Sequence, residues 1–520
     1  MIRRRRTLPR LLPLWLAAAF LLLTGLVASG AQETILPDTT VNPLQEASQT
    51  AAGTSGIGEG VSPGLSVQAD ISARQRARFE REQAAGGTPA ERTRSFVGLL
   101  VFVLVAWLLS VNRAAVRWRP VIWGMGLQFT FAVLILLTAP GRSLFEGLNN
   151  VFVALLGYTN EGASFLFGNL IQPNVPVGTA DGPFGPVTAA ETWANTGALF
   201  AFSVLPTIIF FSSLMTLLYY MGVMQLFVRA FAWLMQRTMG VSGAESLSAA
   251  GNIFVGQTEA PLLVKPYVRT MTNSELHAVM TGGFATVAGG VMAAFVGLLV
   301  AFFPDIAGHL IAASVMSAPA ALAISKVMYP ETQESVTQGE IKIELEKTDA
   351  NVIDAAARGA SEGLGLALNV GAMLLAFIAL LALLNGILGL ITGLFGDPLT
   401  IQTVLGWIGA PIAWLMGTPW RDSMAVGTLL GEKTALNEFV AYLHLASMLQ
   451  GGEELSARAV VIATYALCGF ANFSSIAIQI GGIGGLAPER RGDLSRMGLR
   501  AMVGGTLAAF MTACVVGILI

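Results

Sequence analysis

From residue 95 to residue 520, apolar runs alternate with short charged or Gly/Pro-rich breaks. About 20 apolar residues wound as a helix cross the hydrocarbon core of a bilayer. The pattern predicts eight crossings, over 95–111, 121–138, 197–221, 276–302, 309–327, 364–394, 459–482 and 497–520. Residues 141–196 mix polar and apolar positions and carry Pro173, Pro176, Pro183 and Pro186, which predicts an external amphipathic helix followed by a loop. Residues 227–239, with Arg229 and Arg237, read as an interfacial helix on the cytoplasmic face. The stretch after residue 394, with Trp407, Pro411, Trp414 and Trp420, reads as interfacial too.

Two segments break the pattern. Residues 245–267 are apolar at both ends but hold Gly256-Gln257-Thr258-Glu259-Ala260-Pro261 between them, with Asn252 before and Lys265 after. Residues 421–449 carry Glu432-Lys433-Thr434-Ala435-Leu436-Asn437-Glu438 between apolar flanks. Exposing such groups to lipid costs several kcal/mol. Non-helical backbone is tolerated at membrane depth only when it is buried in protein or lines a cavity. Each segment is therefore predicted to be a re-entrant hairpin of two half-helices. Their surroundings match: Gly283-Phe284-Ala285-Thr286 follows the first and Gly469-Phe470-Ala471-Asn472 follows the second. An odd number of crossings separates them, so the first enters from the cytoplasm and the second from outside. An inverted repeat with discontinuous helices points to a substrate site at the midplane.

Charge orients this arrangement. Charged residues make up only 12% of the 520, against about a quarter in soluble domains, and mean hydropathy is +0.66. Arg113, Arg117 and Arg119, the charged loop over 329–358, and Arg490, Arg491 and Arg496 mark cytoplasmic sides, which leaves both termini outside. The acidic positions Glu340, Glu344 and Glu346 in that loop read as solvated surface. A net charge of −2 offers no basic surface for nucleic acid. Cys468 and Cys514 lie in apolar runs and read as buried thiols, and the three histidines have no ligand spacing. Ahead of the spans, Arg3 to Arg6, an apolar run over 11–27 and Ala28-Ser29-Gly30 describe a signal peptide or a retained signal anchor over 1–30. Residues 31–94, rich in Gly, Ser, Thr, Pro and Gln, read as a disordered extracytoplasmic linker with a basic helical patch over 72–83.

The broken segments present Gln257, Thr258, Glu259, Asn437, Glu438, Asn472, Ser474 and Ser475. No Arg or Lys cluster suits phosphate, and Lys433 stands alone there. Amides pair well with a nitrogen heterocycle, carboxylates suit vicinal hydroxyls, and Phe470 offers an aromatic face. A neutral polyhydroxylated heterocycle fits this set better than an anion. Plainer roles stand beside these: Glu259 as charge at a half-helix N-terminus, Glu438 and Asn472 as interhelical bonds, Lys265 and Lys433 as paired or snorkelling cations. A channel and a membrane enzyme are the competing classes. The sequence holds no metal cluster, nucleophile-and-base pair or phosphate loop for the enzyme, which argues against one.

The run Asn252-Ile253-Phe254-Val255-Gly256-Gln257-Thr258-Glu259-Ala260-Pro261-Leu262 closely resembles the first-hairpin motif of concentrative nucleoside transporters. Ser314-Val315-Met316-Ser317-Ala318-Pro319-Ala320, Asn437-Glu438-Phe439-Val440-Ala441-Tyr442 and Cys468-Gly469-Phe470-Ala471-Asn472-Phe473-Ser474-Ser475 resemble that family's fifth-span, second-hairpin and seventh-span motifs. The likeness covers residues 95–520 and implies an all-α membrane fold. That fold has about eight transmembrane helices and two opposed hairpins, a fixed scaffold and a moving transport domain, assembled as a homotrimer. Scaffold then falls on 95–221 and 359–402, and the transport domain on 222–328 and 403–520. The resemblance further implies that Gln257, Thr258 and Glu259 bind the nucleobase with Val291 beside it. It places Glu438, Asn472 and Ser475 on the ribose, with Phe470 lining the pocket. It implies a sodium site at the Asn252 side chain, the Val255 and Val287 carbonyls and the Thr286 hydroxyl, where the family commonly has Ser. Members that accept purines tend to have Gly at the position of Gly256. The expected function is therefore symport of nucleosides such as uridine and adenosine, coupled to Na⁺ or, alternatively, H⁺, in the cell membrane.

Overall fold

The computed structural model describes residues 79, 81–82, 86–171, 174–180, 187–195, 200–338, 349–393, 398–451 and 455–520. The predicted leader over 1–30 and nearly all of the linker over 31–94 lie outside them. The first long helix, α1 (Pro89–Leu108), starts before residue 95, so the last linker positions are helical. Its start is written in a capping box: the Thr88 amide donates to Glu91 Oε2 at 2.8 Å, and the Glu91 amide to Thr88 Oγ1 at 3.3 Å. Proline at the first helical position needs no partner for a missing N–H.

Helices α2 (Trp118–Leu136) and α3 (Ala139–Phe167) follow. The expected loop after α3 carries an antiparallel pair instead, β1 (Asn174–Ala180) with β2 (Val187–Asn195). The fold among the described residues is thus helical apart from this hairpin, whose pairing satisfies backbone groups that a plain loop would leave to water. Next come α4 (Leu205–Tyr220), α5 (Val223–Met239) and the short α6 (Gly243–Gly251), with a 3₁₀ segment over Ala260–Tyr267. Then follow α7 (Asn273–Ala285), α8 (Gly289–Leu299), α9 (Ile306–Met328) and α10 (Val352–Thr392). The last elements are α11 (Ile401–Leu415), α12 (Trp420–Ala435), α13 (Glu438–Gln450), α14 (Ala457–Leu467), α15 (Phe473–Leu486) and α16 (Arg491–Leu519).

Six helical stretches are long and apolar enough to cross a bilayer among the described residues: 118–136, 201–220, 273–299, 306–328, 352–392 and 488–519. The two other predicted spans are helical but fail that measure for visible reasons. Helix α1 carries Glu91, Arg92 and Arg94 in its first turns, and the span predicted over 459–482 is split into α14 and α15. The span predicted over 276–302 is split as well, into α7 and α8. The apolar pattern predicts both as unbroken. The breaks coincide with local backbone choices: Thr286 is extended at φ −124°, ψ 167°, and Gly469 stands at φ +122°, where a side chain is strained. The charged loop ends earlier than residue 358, because α10 begins at Val352 under an Asn351 cap. Hydrogen bonds from Arg358 hold the Asp349 carboxyl below its ordinary range.

Helix α9 is the hub, with 94% of its apolar window buried. Around it, Gln128 of α2 donates to Thr512 Oγ1 of α16 at 3.0 Å, and Ser317 lies 3.4 Å from the same hydroxyl. Helix α10 is the opposite case, with 6% of its window buried and Leu368, Leu375, Leu383 and Leu390 exposed. It is held by α4. A side chain at Gly359 would meet Thr216 and Ser213, one at Gly363 would meet Ile209 and Ser212, and Ser213 Oγ donates to the Ala356 carbonyl at 2.8 Å. Small residues four apart let two membrane helices approach to backbone contact, where dispersion and short polar bonds replace the missing hydrophobic drive.

Candidate functional site

Two breaks in the helical pattern build one wall. Helix α6 stops at Gly251, and the chain runs without regular structure from Asn252 to Glu259 before the 3₁₀ segment, which carries Pro261 and Pro266. This break is bonded directly to the break between α7 and α8, since the Gly289 amide donates to the Phe254 carbonyl at 3.1 Å. Asn252 is fully buried, and neither its oxygen nor its nitrogen finds a hydrogen-bond partner among the described residues. A β-carbon on Gly282 would stand 3.2 Å from its Nδ2, and the buried Thr286 hydroxyl donates to the Gly282 carbonyl at 2.9 Å. An orphaned buried amide costs about 1–3 kcal/mol. Asn252 and Thr286 thus both border Gly282, the first through its Nδ2 and the second through the Gly282 carbonyl, and amide, hydroxyl and carbonyl oxygens are the donor types that suit a small hard cation. Val287 is buried and Val255 half-buried.

The second wall comes from the other half of the chain. Asn437 caps α13 by accepting from the Val440 amide at 2.9 Å, and Asn472 caps α15 by accepting from the Ser475 amide at 2.9 Å. Asn472 Nδ2 also donates to Glu438 Oε2 at 2.9 Å, and Ser474 Oγ donates to Asn472 Oδ1 at 2.7 Å. Two helix N-termini thus converge on Glu438, and such ends favour negative charge. Lys433, 1% exposed, donates to the Ala466 carbonyl at 2.8 Å near the end of α14. It serves the last turn of a half-helix, in keeping with the plainer reading of that cation.

A hydrogen-bonded chain joins the walls. Gln257 Nε2 donates to Ser475 Oγ at 3.1 Å, which connects it through Asn472 to Glu438. Thr258 sits on α15 where a Gly482 side chain would reach its methyl at 2.9 Å. Glu259 is exposed, and its carboxylate folds back so far that a β-carbon on Gly256 would collide with Oε2. Val291 is buried one turn ahead of Phe295, whose ring stacks on Tyr442 of α13 at 4.2 Å. Phe470 is half-buried. The two breaks themselves touch, because a side chain on Gly469 would stand 2.7 Å from the Phe284 carbonyl. Sequence reasoning missed Gln479. Its Nε2 donates to Gln257 Oε1 at 3.0 Å and to the Met280 carbonyl at 3.2 Å. The available signal was a lone amide four residues after Ser475 on an otherwise apolar helix.

Models described as Na⁺ dependent nucleoside transporter N-terminus, nucleoside recognition gate, and Na⁺ dependent nucleoside transporter C-terminus match residues 97–170, 201–302 and 309–517. An uncharacterized transporter of Haemophilus influenzae is 44% identical over 430 residues, covering 82% of this chain and 97% of the relative. The chain belongs to the Na⁺-dependent nucleoside transporter family. Within that family, sodium/nucleoside cotransporter 1 of Rattus norvegicus is 44% identical over 443 residues, 82% of this chain and 64% of the relative. Solute carrier family 28 member 3 of Eptatretus stoutii is 43% identical over 444 residues, 83% of this chain. The chain spans only 61% of that relative's length. A solved structure of CNTnw in an inward-facing substrate-bound state matches with a TM-score of 0.73 at 43% identity, covering 82% of this chain and 97% of that one. A CNTnw variant in an outward-facing state matches with a TM-score of 0.75 at 42% identity, covering 83% and 98%. This is a family of transporters rather than of enzymes.

Proposed function

We propose that this protein is a secondary active symporter that imports nucleosides with Na⁺. The observation that carries the reading is the buried Asn252 amide, unpartnered among the described residues and packed on Gly282, whose carbonyl accepts from Thr286, in the break that also carries Gln257 of the chain Gln257–Ser475–Asn472–Glu438. Asn252, Thr286 and the carbonyls of Val255 and Val287 hold the cation. Gln257, Thr258 and Glu259, with Val291 beside them, take the nucleobase. Glu438, Asn472 and Ser475 take the ribose hydroxyls against Phe470. Na⁺ satisfies the Asn252 oxygen and orders the break that carries Gln257, so each ligand tightens the other by the same factor.

In this reading residues 245–267 and 421–449 are re-entrant hairpins of opposite orientation. The transport domain, 222–328 with 403–520, moves across the membrane against a scaffold of 95–221 and 359–402, which the α4–α10 glycine contact joins. The exposed apolar face of α10 is left for lipid or for neighbouring copies in a homotrimer. The protein sits in the cell membrane with both termini extracytoplasmic. The test is counterflow of labelled uridine, adenosine and inosine in proteoliposomes under imposed Na⁺ or H⁺ gradients. Uptake that saturates, accumulates against a gradient and follows the Na⁺ gradient is expected. Uptake driven equally well by H⁺ with choline replacing Na⁺ would reject the coupling ion, and uptake that never saturates would reject the carrier.

A further inference from the structure

Gln479 is fully buried on α15, four residues after Ser475. The two ends of a side-chain amide have nearly the same shape, so their order is set by neighbours of known polarity. The Met280 carbonyl is such a neighbour, because it can only accept. The atom of Gln479 that faces it, at 3.2 Å, is therefore the donor Nε2. Turning this amide round would set oxygen against oxygen. The same nitrogen lies 3.0 Å from Gln257, so Gln257 must present its oxygen there, which leaves its Nε2 for Ser475 Oγ at 3.1 Å. The polarity of a backbone carbonyl on α7 is relayed through Gln479 into the side chain of Gln257. Packing keeps the relay closed: a β-carbon on Gly283 would stand 2.8 Å from Gln479 Nε2 and 2.9 Å from Gln257 Cβ.

We propose that Gln479 is a positioning residue that sets the donor–acceptor order of Gln257 and thereby decides which base edges the pocket accepts. This inference rests on the nucleoside reading of the site. After its bonds to Gln479 and Ser475, the Gln257 amide keeps one N–H and one oxygen lone pair. These form a donor–acceptor pair in a fixed order. An imide edge, with a carbonyl beside an N–H, matches that order in one register and meets like against like in the reverse. Gln479 does this without touching the base.

The test is equilibrium binding to the purified full-length protein in detergent at saturating Na⁺. The probes are uridine, 3-deazauridine (the base N–H replaced by C–H) and zebularine (the 4-carbonyl removed, which also turns N3 from a donor into an acceptor). The parent protein is expected to prefer uridine over both analogues. In Gln479→Leu that preference should fall by about tenfold, the value of one well-aligned hydrogen bond, while half-activation by Na⁺ is unchanged. In a Gln257→Ala background, adding Gln479→Leu should change the preference no further. Gln479→Met gives the same reading if the leucine variant does not fold. An unaltered preference in the variant, an equal loss for all three probes with a shifted Na⁺ response, or an effect that persists without Gln257 would overturn the inference alone. Failure of the parent protein to bind any of the three would overturn the nucleoside reading with it.

Discussion

The two helix breaks that face each other across the site are built to opposite standards. The first runs from Asn252 to Glu259, continues as a 3₁₀ segment, and leaves the Asn252 amide buried without a partner. The second takes only Leu436 and Asn437, and polar side chains around it bond one another and the helix ends: Asn437 caps α13, and Asn472 caps α15 while it bonds Glu438. Breaks in matching sequence contexts therefore do not carry the same chemistry. A satisfied break is rigid and preorganised. An unsatisfied one carries about 1–3 kcal/mol of desolvation that a ligand can relieve, which under the proposed reading makes it the half that responds to the ion.

Breaking the satisfied half should cost most. Glu438→Gln replaces the carboxyl bonded by Asn472 with an amide, and under the proposed reading the loss of its bonds to the ribose should lower kcat/KM for uridine uptake by about 100-fold. Initial rates over a range of uridine concentrations measure this, and near-normal rates would remove Glu438 from the site. In the unsatisfied half the effect should fall on the ion. Asn252→Ala should raise the Na⁺ concentration for half-maximal uptake by about tenfold, with nucleoside affinity recovering at high Na⁺. A uridine defect that no Na⁺ concentration repairs would contradict the division. Glu259→Gln, at the end of the same break, should lower uridine affinity by about tenfold with little change in the Na⁺ requirement, read in the same assay. The smallest effect belongs to Asn437→Ala, which deletes a cap. It should cost about 1 kcal/mol of stability, seen as a lower thermal midpoint, while the ratio of uridine to adenosine uptake stays fixed.

Much of this was legible in the residues. Apolar run length located the helices, because the bilayer sets their length independently of their neighbours. The polar interruptions at Gly256 to Pro261 and Glu432 to Glu438 located the breaks in α6 and α12, since a lipid-facing helix would not carry them. The splitting of the spans at Thr286 and at Gly469 was not legible, because each short apolar half reads as the continuation of the other. The strand pair after α3 was hidden for a related reason: prolines and glycines mark turns there, but pairing depends on a second strand that periodicity over a few residues does not reveal.

What the sequence determined by itself was local and compositional: a membrane as solvent, two polar breaks in matching contexts, and a set of amides, hydroxyls and carboxylates to line them. Tertiary structure alone decided which of those groups spend their hydrogen bonds on each other. It paired Asn472 with Glu438, left Asn252 unpaired, and brought Gln479 onto Gln257 across more than 200 positions of chain. Hydrogen-bond satisfaction depends on distances of a fraction of an ångström between remote residues, and no local pattern encodes those distances.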